Sequence, residues 1–310
     1  MFNRVIVAFD GSERALDALF LAEALTASDG ELVVCCVYHY ETLSARIDPT
    51  EPRVQRETAQ ECVARATGLL QRGLTVTTMV LAGASTAATL QKVAIRRDAD
   101  LLVLGSSHRG TLGRVFVGSV SQETLHRAPC PVAIAPVGFH RERAGAGFAR
   151  IAVGCDLVAP PLKALEVAVT LASQTGAELE LVAVADTAAA RAGGASAALS
   201  YPAIVKARLD AAHASISRAL GALPAGIKTS GVVRDGRASE ELLGVTHGVD
   251  LLVLGSRGRG PVRTLLLGSV CDAVVRAAAC PVLVVPLSSE AEDPAQRDGD
   301  TLVNVCEPRA

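Results

Sequence analysis

Tryptophan is absent from this sequence of 310 residues and aromatic residues make up 3% of it, whereas half of the residues are apolar. We therefore expect a core of Val, Leu, Ile and Ala, which is the usual content of a parallel sheet covered by helices. A chain of this length exceeds the common size of one domain, so we expect two domains that each bury their own core.

Long runs of one charge are also missing, and the formal net charge is -2. We therefore expect no nucleic-acid partner, since binding to nucleic acid requires a basic patch. The most apolar segment, residues 265–286, is interrupted by Asp272, Arg276 and Pro281, so we expect no membrane span. The first residues enter a strand-like run directly, which predicts that there is no secretory signal.

None of the eight cysteines forms a C-x-x-C pair, the spacing typical of metal and redox sites. They lie in or beside apolar runs, where a free thiol packs as a small hydrophobic group. We therefore expect buried, reduced thiols and a cytoplasmic protein. The eight residues are Cys35, Cys36, Cys62, Cys130, Cys155, Cys271, Cys280 and Cys306.

The sequence repeats itself at an offset of 150 residues. The heptapeptide Asp-Leu-Leu-Val-Leu-Gly-Ser at residues 100–106 recurs letter for letter at residues 250–256. Gly118-Ser119-Val120 and Cys130-Pro131-Val132 recur at the same offset. Three landmarks that share one offset indicate a tandem duplication.

Within each copy, short Val/Leu/Ile runs alternate with longer Ala/Leu-rich segments of helical period, which indicates βα units in a parallel sheet. We expect five strands and four helices per copy. The strands are predicted near residues 4–9, 31–38, 74–80, 101–105 and 131–135, and near 150–154, 178–185, 227–233, 251–255 and 281–285.

These patterns divide the chain into two domains, residues 1–137 and residues 149–287. The polar, glycine-rich residues 138–148 between them are predicted to be a linker. Residues 288–310 are predicted to be a mostly disordered polar tail, in which residues 302–305 could dock as a short strand.

A glycine-rich turn, Gly255-Ser256-Arg257-Gly258, follows the fourth strand of the second copy, and nine residues further on Gly268-Ser269 opens a helix. A helix N-terminus attracts anions, and glycine lets an anion approach the backbone closely, so this place suits a phosphate. Ser269 is predicted to cap the empty helix and to donate its hydroxyl to a bound phosphate. Three arginines add positive charge around the turn: Arg257, Arg259 and Arg263.

The turn matches neither a Walker loop nor the G-x-G-x-x-G of dinucleotide folds. Its pattern, G-x-x-G, nine residues and G-S, resembles the ATP-binding signature of the universal stress protein family. An aspartate at the end of the first strand of each copy, Asp10 or Asp156, and the closing Cys-Pro-Val strengthen the resemblance, which covers residues 1–137 and 149–287.

The resemblance implies an α/β fold for each copy: an open parallel five-stranded sheet of order 3-2-1-4-5 with helices on both faces, a Rossmann-like fold that binds an adenine nucleotide. In such a sheet the ligand lies at the carboxyl ends of strands one and four, where the strand order reverses. ATP would be the ligand, with Mg²⁺ or Mn²⁺ bridging its phosphate oxygens.

The resemblance also implies which residues contact the nucleotide. Asp156 would lie beside the ribose, the main chain of Val184 would hold the adenine edge, and main-chain N–H groups of the glycine loop and of the following helix would surround the phosphates. The implied residues of the second copy are Gly154, Asp156, Val184, Gly255, Gly258, Gly268, Ser269 and Val270. Those of the first copy are Asp10, Val37, Gly105, Gly118, Ser119 and Val120.

The first copy departs from the pattern because His108 stands where the second glycine of the turn belongs. A Cβ and an imidazole at a place of close backbone approach should crowd the phosphates. We therefore predict that the first copy binds ATP weakly or not at all.

The same residues also allow simpler interpretations. The glycines could be plain turn residues, and Asp10 and Asp156 could be helix caps. Asp186 is more simply a solvated loop carboxylate than a ribose contact. Ser107 and His108 are adjacent in sequence, which does not create the geometry of a nucleophile and its base.

The leading functional hypothesis is a nucleotide-dependent binding or switch protein of the stress response, which binds ATP and hydrolyses it slowly at most, because no catalytic residue is evident. The alternatives are a scaffold of the same family that binds no nucleotide, and a weak ATPase or adenylate-forming enzyme. The two copies are expected to pair as an internal pseudo-dimer, and the chain could also form a homodimer.

Overall fold

The computed structural model describes residues 1–39, 51–106, 118–143, 147–155, 162–185, 187, 201–256 and 267–286. The described residues form two compact units, and the division between them falls at Gly147. The predicted tail, residues 288–310, lies outside the described residues.

The first unit alternates strands and helices along the chain. Its elements are β1 (Phe2–Ala8), α1 (Glu13–Leu25), β2 (Thr26–His39), α2 (Glu51–Thr67), β3 (Thr75–Gly83), α3 (Thr86–Arg96), β4 (Leu101–Gly105), α4 (Ser119–His126), β5 (Val132–Ala135) and α5 (Phe139–Arg143). The last of these, α5, is a short helix inside the segment predicted to be a linker.

The second unit repeats this alternation. Its elements are β6 (Arg150–Cys155), α6 (Leu162–Thr175), β7 (Glu178–Ala185), α7 (Tyr201–Gly221), β8 (Thr229–Asp235), α8 (Ala238–Val245), β9 (Leu251–Gly255), α9 (Ser269–Ala277) and β10 (Val282–Val285). Among the described residues of both units, no helix combines the length and the apolar character that a membrane span needs.

Every strand pair described within a unit is parallel, and the strand order confirms the prediction. The first unit has the order β3-β2-β1-β4-β5, and the second has the corresponding order β8-β7-β6-β9-β10. Residues 101–104 are almost completely buried, as are their counterparts 251–254. Burial on both faces explains why these strands are continuous apolar runs rather than alternating patterns.

One strand begins earlier than predicted. β2 starts at Thr26, directly after α1, and its pairing with β1 shifts register between Phe2 and Arg4. Gly30 lies at this irregularity, where a Cβ would come within 2.9 Å of the Asn3 carbonyl oxygen. The predicted start at Glu31 therefore marks the point from which the pairing is regular.

The aspartate that opens the repeated heptapeptide has a structural role in both units. Asp100 Oδ2 accepts hydrogen bonds from the main-chain N–H groups of Asn3 and Arg4, at 3.0 and 2.9 Å. Asp250 Oδ2 accepts the equivalent bonds from Ala149 and Arg150, at 2.7 and 2.9 Å. Each carboxylate thus joins the start of the fourth strand to the start of the first.

The cysteines of the described residues are all buried and none of them forms a disulfide, as expected. Burial raises the pKa of five of these thiols to about 12. These are Cys35, Cys36, Cys130, Cys155 and Cys271. The eighth cysteine, Cys306, lies outside the described residues.

We predict that Asp250→Ala lowers the free energy of unfolding by about 2 kcal/mol, because Asp250 is buried and its two N–H partners lose a charged acceptor. Asp100→Ala should cost less, since Asp100 is exposed and water can replace its carboxylate. Urea denaturation of both purified variants checks this, and equal losses would contradict the role given to burial.

We also predict that a disulfide-exchange reagent labels the five thiols roughly a thousandfold more slowly in the native protein than in urea at about pH 8, because a pKa near 12 leaves far less thiolate than the ordinary cysteine pKa does. The measurement uses a Cys306→Ser variant, which removes the thiol of the tail, and peptide mass spectrometry separates the five thiols from Cys62 and Cys280, which remain in the chain. Fast labelling of the native variant would show that these thiols are accessible.

Candidate functional site

A crevice opens in the first unit at the carboxyl ends of β1 and β4, which are neighbours in the sheet although α1 to α3 and two strands lie between them in sequence. The cavity has a volume of about 680 Å³. All six residues predicted for the first copy line it: Asp10, Val37, Gly105, Gly118, Ser119 and Val120. The fold therefore brings these positions around one space at the point where the strand order reverses.

Three helices begin at this cavity. The lining includes Ser12 and Arg14 at the start of α1, Thr86 at the start of α3 and Ser119 at the start of α4. Helix N-termini carry partial positive charge, whereas the full charges of Arg14 and Asp10 in the lining have opposite signs and offset each other. The electrostatics of the crevice therefore favour an anionic ligand.

Asp10 lies in the turn between β1 and α1, and its carboxylate is exposed at the cavity. Its Oδ1 accepts a hydrogen bond from the Ser12 N–H at 3.0 Å. The cap of α1 is Ser12, whose Oγ accepts from the Ala15 N–H at 3.2 Å. The interpretation of Asp10 as the helix cap is therefore wrong, and its carboxylate remains at the crevice.

Gly105, at the end of β4, is required by packing within the protein. A Cβ at this position would lie 2.3 Å from the Arg14 carbonyl oxygen, which is far inside van der Waals contact. The Gly105 carbonyl oxygen accepts a hydrogen bond from Ser121 Oγ at 3.1 Å. The end of β4 is thus held between the first turns of α1 and α4.

Ser106 is a residue of the crevice that the sequence interpretation missed. It is 5% exposed and lines the cavity, and its hydroxyl has no hydrogen-bond partner among the residues that the structure describes. A buried hydroxyl of this kind suits a ligand that accepts a hydrogen bond. Ser106 is the last residue of the repeated heptapeptide, and this repetition was the sequence signal that could have identified it. Arg14, Thr86 and Ser121 were missed as well.

The predicted cap role of the helix-opening serine is wrong. Gly118 is the N-cap of α4 and Gly268 is the N-cap of α9, both with extended backbone and neither with a side-chain cap bond. Ser119 and Ser269 are the first helical residues. A glycine cap leaves the first-turn N–H groups without a side-chain acceptor, so they stay accessible to an anion.

The described site residues of the second unit lie at equivalent places. Gly154 is in β6, Val184 in β7 and Gly255 at the end of β9, while Gly268, Ser269 and Val270 open α9. A Cβ on Gly154 would come within 2.7 Å of the Leu254 side chain, so packing explains this glycine. Asp156 and Gly258 lie outside the described residues, as do His108, Asp186, Arg257, Arg259 and Arg263.

The two units differ in the first turn of the helix after the glycine loop. Cys271 stands 150 positions after Ser121, and burial raises the pKa of its thiol to about 12. Asp272 stands in the place of Gln122, and its carboxylate pairs with Arg276 Nε at 2.9 Å. The chemistry at this helix start is therefore not the same in the two copies.

We predict that Gly105→Ala destabilises the protein by about 3 kcal/mol even without ligand, because the new Cβ overlaps the Arg14 carbonyl. Gly73→Ala is the control, since no atom lies within 4 Å of a Cβ there. Chemical denaturation measures both variants. A stability of Gly105→Ala equal to that of the control would exclude the packing role.

The sequence of this chain matches the model of the Universal stress protein family twice, at residues 1–136 and 147–286. It is 33% identical over 201 residues to the universal stress protein Rv2005c of Mycobacterium tuberculosis H37Rv, covering 62% of this chain and 63% of that protein. The match thus spans less than two thirds of the relative's length. Another relative is the universal stress protein in QAH/OAS sulfhydrylase 3'region of Thermus aquaticus, with 30% identity over 134 residues, 43% of this chain and 97% of that protein.

Solved structures share the fold. A universal stress protein from Archaeoglobus fulgidus DSM 4304 superposes with a TM-score of 0.63 and 22% identity, covering 92% of this chain and 99% of the other. The functionally unknown protein PA1789 from Pseudomonas aeruginosa PAO1 has a TM-score of 0.60 and 16% identity, with 92% of each chain covered. At these identities the likeness concerns the fold alone.

Proposed function

Since the chain belongs to the universal stress protein family, we propose that it binds ATP and acts as a nucleotide-dependent switch in stress responses. The observation that carries the proposal is the crevice of the first unit, where the starts of three helices surround one cavity at the reversal of strand order. The second unit has the same strand order and the intact glycine pattern, so a corresponding site is proposed there.

The size and polarity of the crevice suit a nucleotide. A volume of about 680 Å³ is within the range of pockets that enclose small molecules. The N–H groups after Gly118 and the Ser106 hydroxyl would donate to phosphate oxygens, and Val37 would contact the base. Asp10 would accept hydrogen bonds from ribose hydroxyls.

A divalent metal would be bound at this site mainly through the phosphate oxygens of the nucleotide, and not by a set of protein ligands. The described residues contain no group of three or more His, Cys, Asp or Glu side chains that could hold a metal ion. Mg²⁺ commonly keeps several waters and binds phosphate oxygens with one or two carboxylates. Asp10, the carboxylate of the described lining, is assigned to the ribose, so phosphate oxygens and water would hold the metal.

Rapid ATP hydrolysis is not part of the proposal. Of the described lining residues, Asp10 is assigned to the ribose rather than to the phosphates, and burial raises the pKa of the Cys35 thiol to about 12. Such a thiol is a poor nucleophile at neutral pH. We therefore expect bound nucleotide with turnover that is slow at most.

The second repeat is proposed as the tighter site. Its turn has Gly258 at the position where the first repeat has His108. A phosphate can approach a glycine backbone more closely than one that carries an imidazole. The first repeat would then be a weaker site. Pairing of the repeats as a pseudo-dimer, formation of a homodimer and a cytoplasmic location stay predictions.

We predict that Gly268→Val weakens Mg-ATP binding at least about tenfold, whereas Gly118→Val leaves the tighter site in place. Both glycines have extended φ and ψ angles that valine also adopts, so the substitutions should block the anion without straining the backbone. Isothermal titration of the full chain with Mg-ATP measures the two matched variants. Equal effects would contradict the ranking of the repeats.

Two assays of the wild-type protein distinguish a nucleotide-dependent switch from a scaffold and from an enzyme. Purified protein is assayed for adenine nucleotide by mass spectrometry and for phosphate release during incubation with Mg-ATP. Bound nucleotide with negligible turnover supports the switch. Absence of binding even at millimolar Mg-ATP supports the scaffold and overturns the proposal, and rapid phosphate release supports an enzyme.

A further inference from the structure

The segment that leads out of the first repeat is anchored to helix α1. Asp17, in the middle of α1, is 1% exposed, and its two carboxylate oxygens accept the main-chain N–H groups of Gly138 and His140, each at 3.0 Å. His140 Nδ1 lies 2.6 Å from the same carboxylate. Asp17 therefore supplies, from another helix, the carboxylate that caps the start of α5.

A second carboxylate of α1 adds to this anchor. Glu13 Oε2 lies 2.6 Å from Arg141 Nη2 and 3.5 Å from His140 Nε2. The ring of Phe20 stacks on the imidazole of His140, with ring centroids 6.3 Å apart. We call the contacts of Glu13, Asp17 and Phe20 with residues 138–141 the α1 latch.

The same helix forms one wall of the crevice. Ser12, Arg14 and Ala15 line the cavity, and the carbonyl of Arg14 packs directly on Gly105. Glu13 belongs to this first turn but does not line the cavity, and its exposed carboxylate faces His140 and Arg141. Arg141 neutralises that charge when the latch is closed.

We propose that the α1 latch couples the crevice of the first repeat to the segment that leads into the second repeat. An anionic ligand in the crevice and the docked state of residues 138–141 stabilise each other, because both require the same placement of α1 and because docking brings Arg141 to Glu13. Such coupling is reciprocal, so each event strengthens the other by the same factor. This inference rests on the proposed nucleotide binding.

The duplication offers a matched control. Arg14-Ala15-Leu16-Asp17 in α1 corresponds to Lys163-Ala164-Leu165-Glu166 in α6. Glu166 is exposed, whereas Asp17 is buried under residues 138–140. Removal of the Glu166 carboxylate therefore leaves the latch of the first repeat unchanged.

Hydrogen exchange of the full chain without nucleotide tests the latch. Asp17→Ala should raise the exchange rates of the Gly138 and His140 amides about tenfold or more, with no rise in strand β4, and Glu166→Ala should leave them unchanged. If Asp17→Ala exchanges faster throughout, Arg141→Ala replaces it, since Arg141 is exposed and its removal leaves the core intact. Unchanged exchange at residues 138–141 in both variants would overturn the latch.

Titration then tests the coupling in a Gly268→Val background, which isolates the first repeat. Arg141→Ala should weaken Mg-ATP binding there about threefold, with a smaller effect at high salt. Arg127→Ala, which removes the same charge at the exposed end of α4 that faces away from the cavity, should have no effect. Saturating Mg-ATP should also slow the exchange of residues 138–141.

The outcomes separate the two proposals. If the wild-type chain binds no Mg-ATP, the proposed function fails and the coupling fails with it. If the wild-type chain binds Mg-ATP but the Gly268→Val chain does not at millimolar concentration, the first crevice takes no such ligand, and the coupling is overturned while the proposed function stands. If the Gly268→Val chain binds Mg-ATP but Arg141→Ala has the same affinity as Arg127→Ala and exchange at residues 138–141 does not respond, the coupling alone is overturned.

Discussion

The pairing of β1 with β4 is the interaction on which the site depends. Val5, Ile6 and Val7 pair in parallel with residues 101–103, although the two strands are far apart in sequence. Because parallel strands end at the same edge of a sheet, the turn after β1 and the turn after β4 meet there. Asp100 holds the opposite ends of these strands together through the N–H groups at residues 3 and 4.

Helix α1 contacts both the end of β4 and the segment of residues 138–141. It lies so close to β4 that Gly105 has no room for a Cβ beside the Arg14 carbonyl, and the same helix carries the carboxylates that hold residues 138–141. The end of β4, the crevice wall and the anchored segment thus form one contiguous set of contacts. A contiguous set of packed groups is a physical route for coupling, which measured coupling energies must establish.

The two copies share the hydrogen bonds that join the first and fourth strands, but they differ in the residues that follow the fourth strand. Asp100 and Asp250 make equivalent hydrogen bonds at the start of the fourth strand in both units. The turn after that strand differs, with His108 in one copy and glycine in the other, and Ser121 is replaced by a cysteine. Main-chain geometry tolerates such side-chain changes, so one fold can carry two sites of different affinity.

The duplication and the parallel α/β class could be predicted from the residues alone, because repeats and apolar runs are local patterns, and the family resemblance of the motifs supplied the strand order. It also identified residues that line the crevice, such as Asp10 and Gly118. The tertiary structure decided what these residues contact: Gly105 faces the Arg14 carbonyl, Gly118 is itself the helix cap, and Asp17 binds His140 from 123 positions away. Such contacts depend on how the helices lie against the sheet, which no local pattern of residues records.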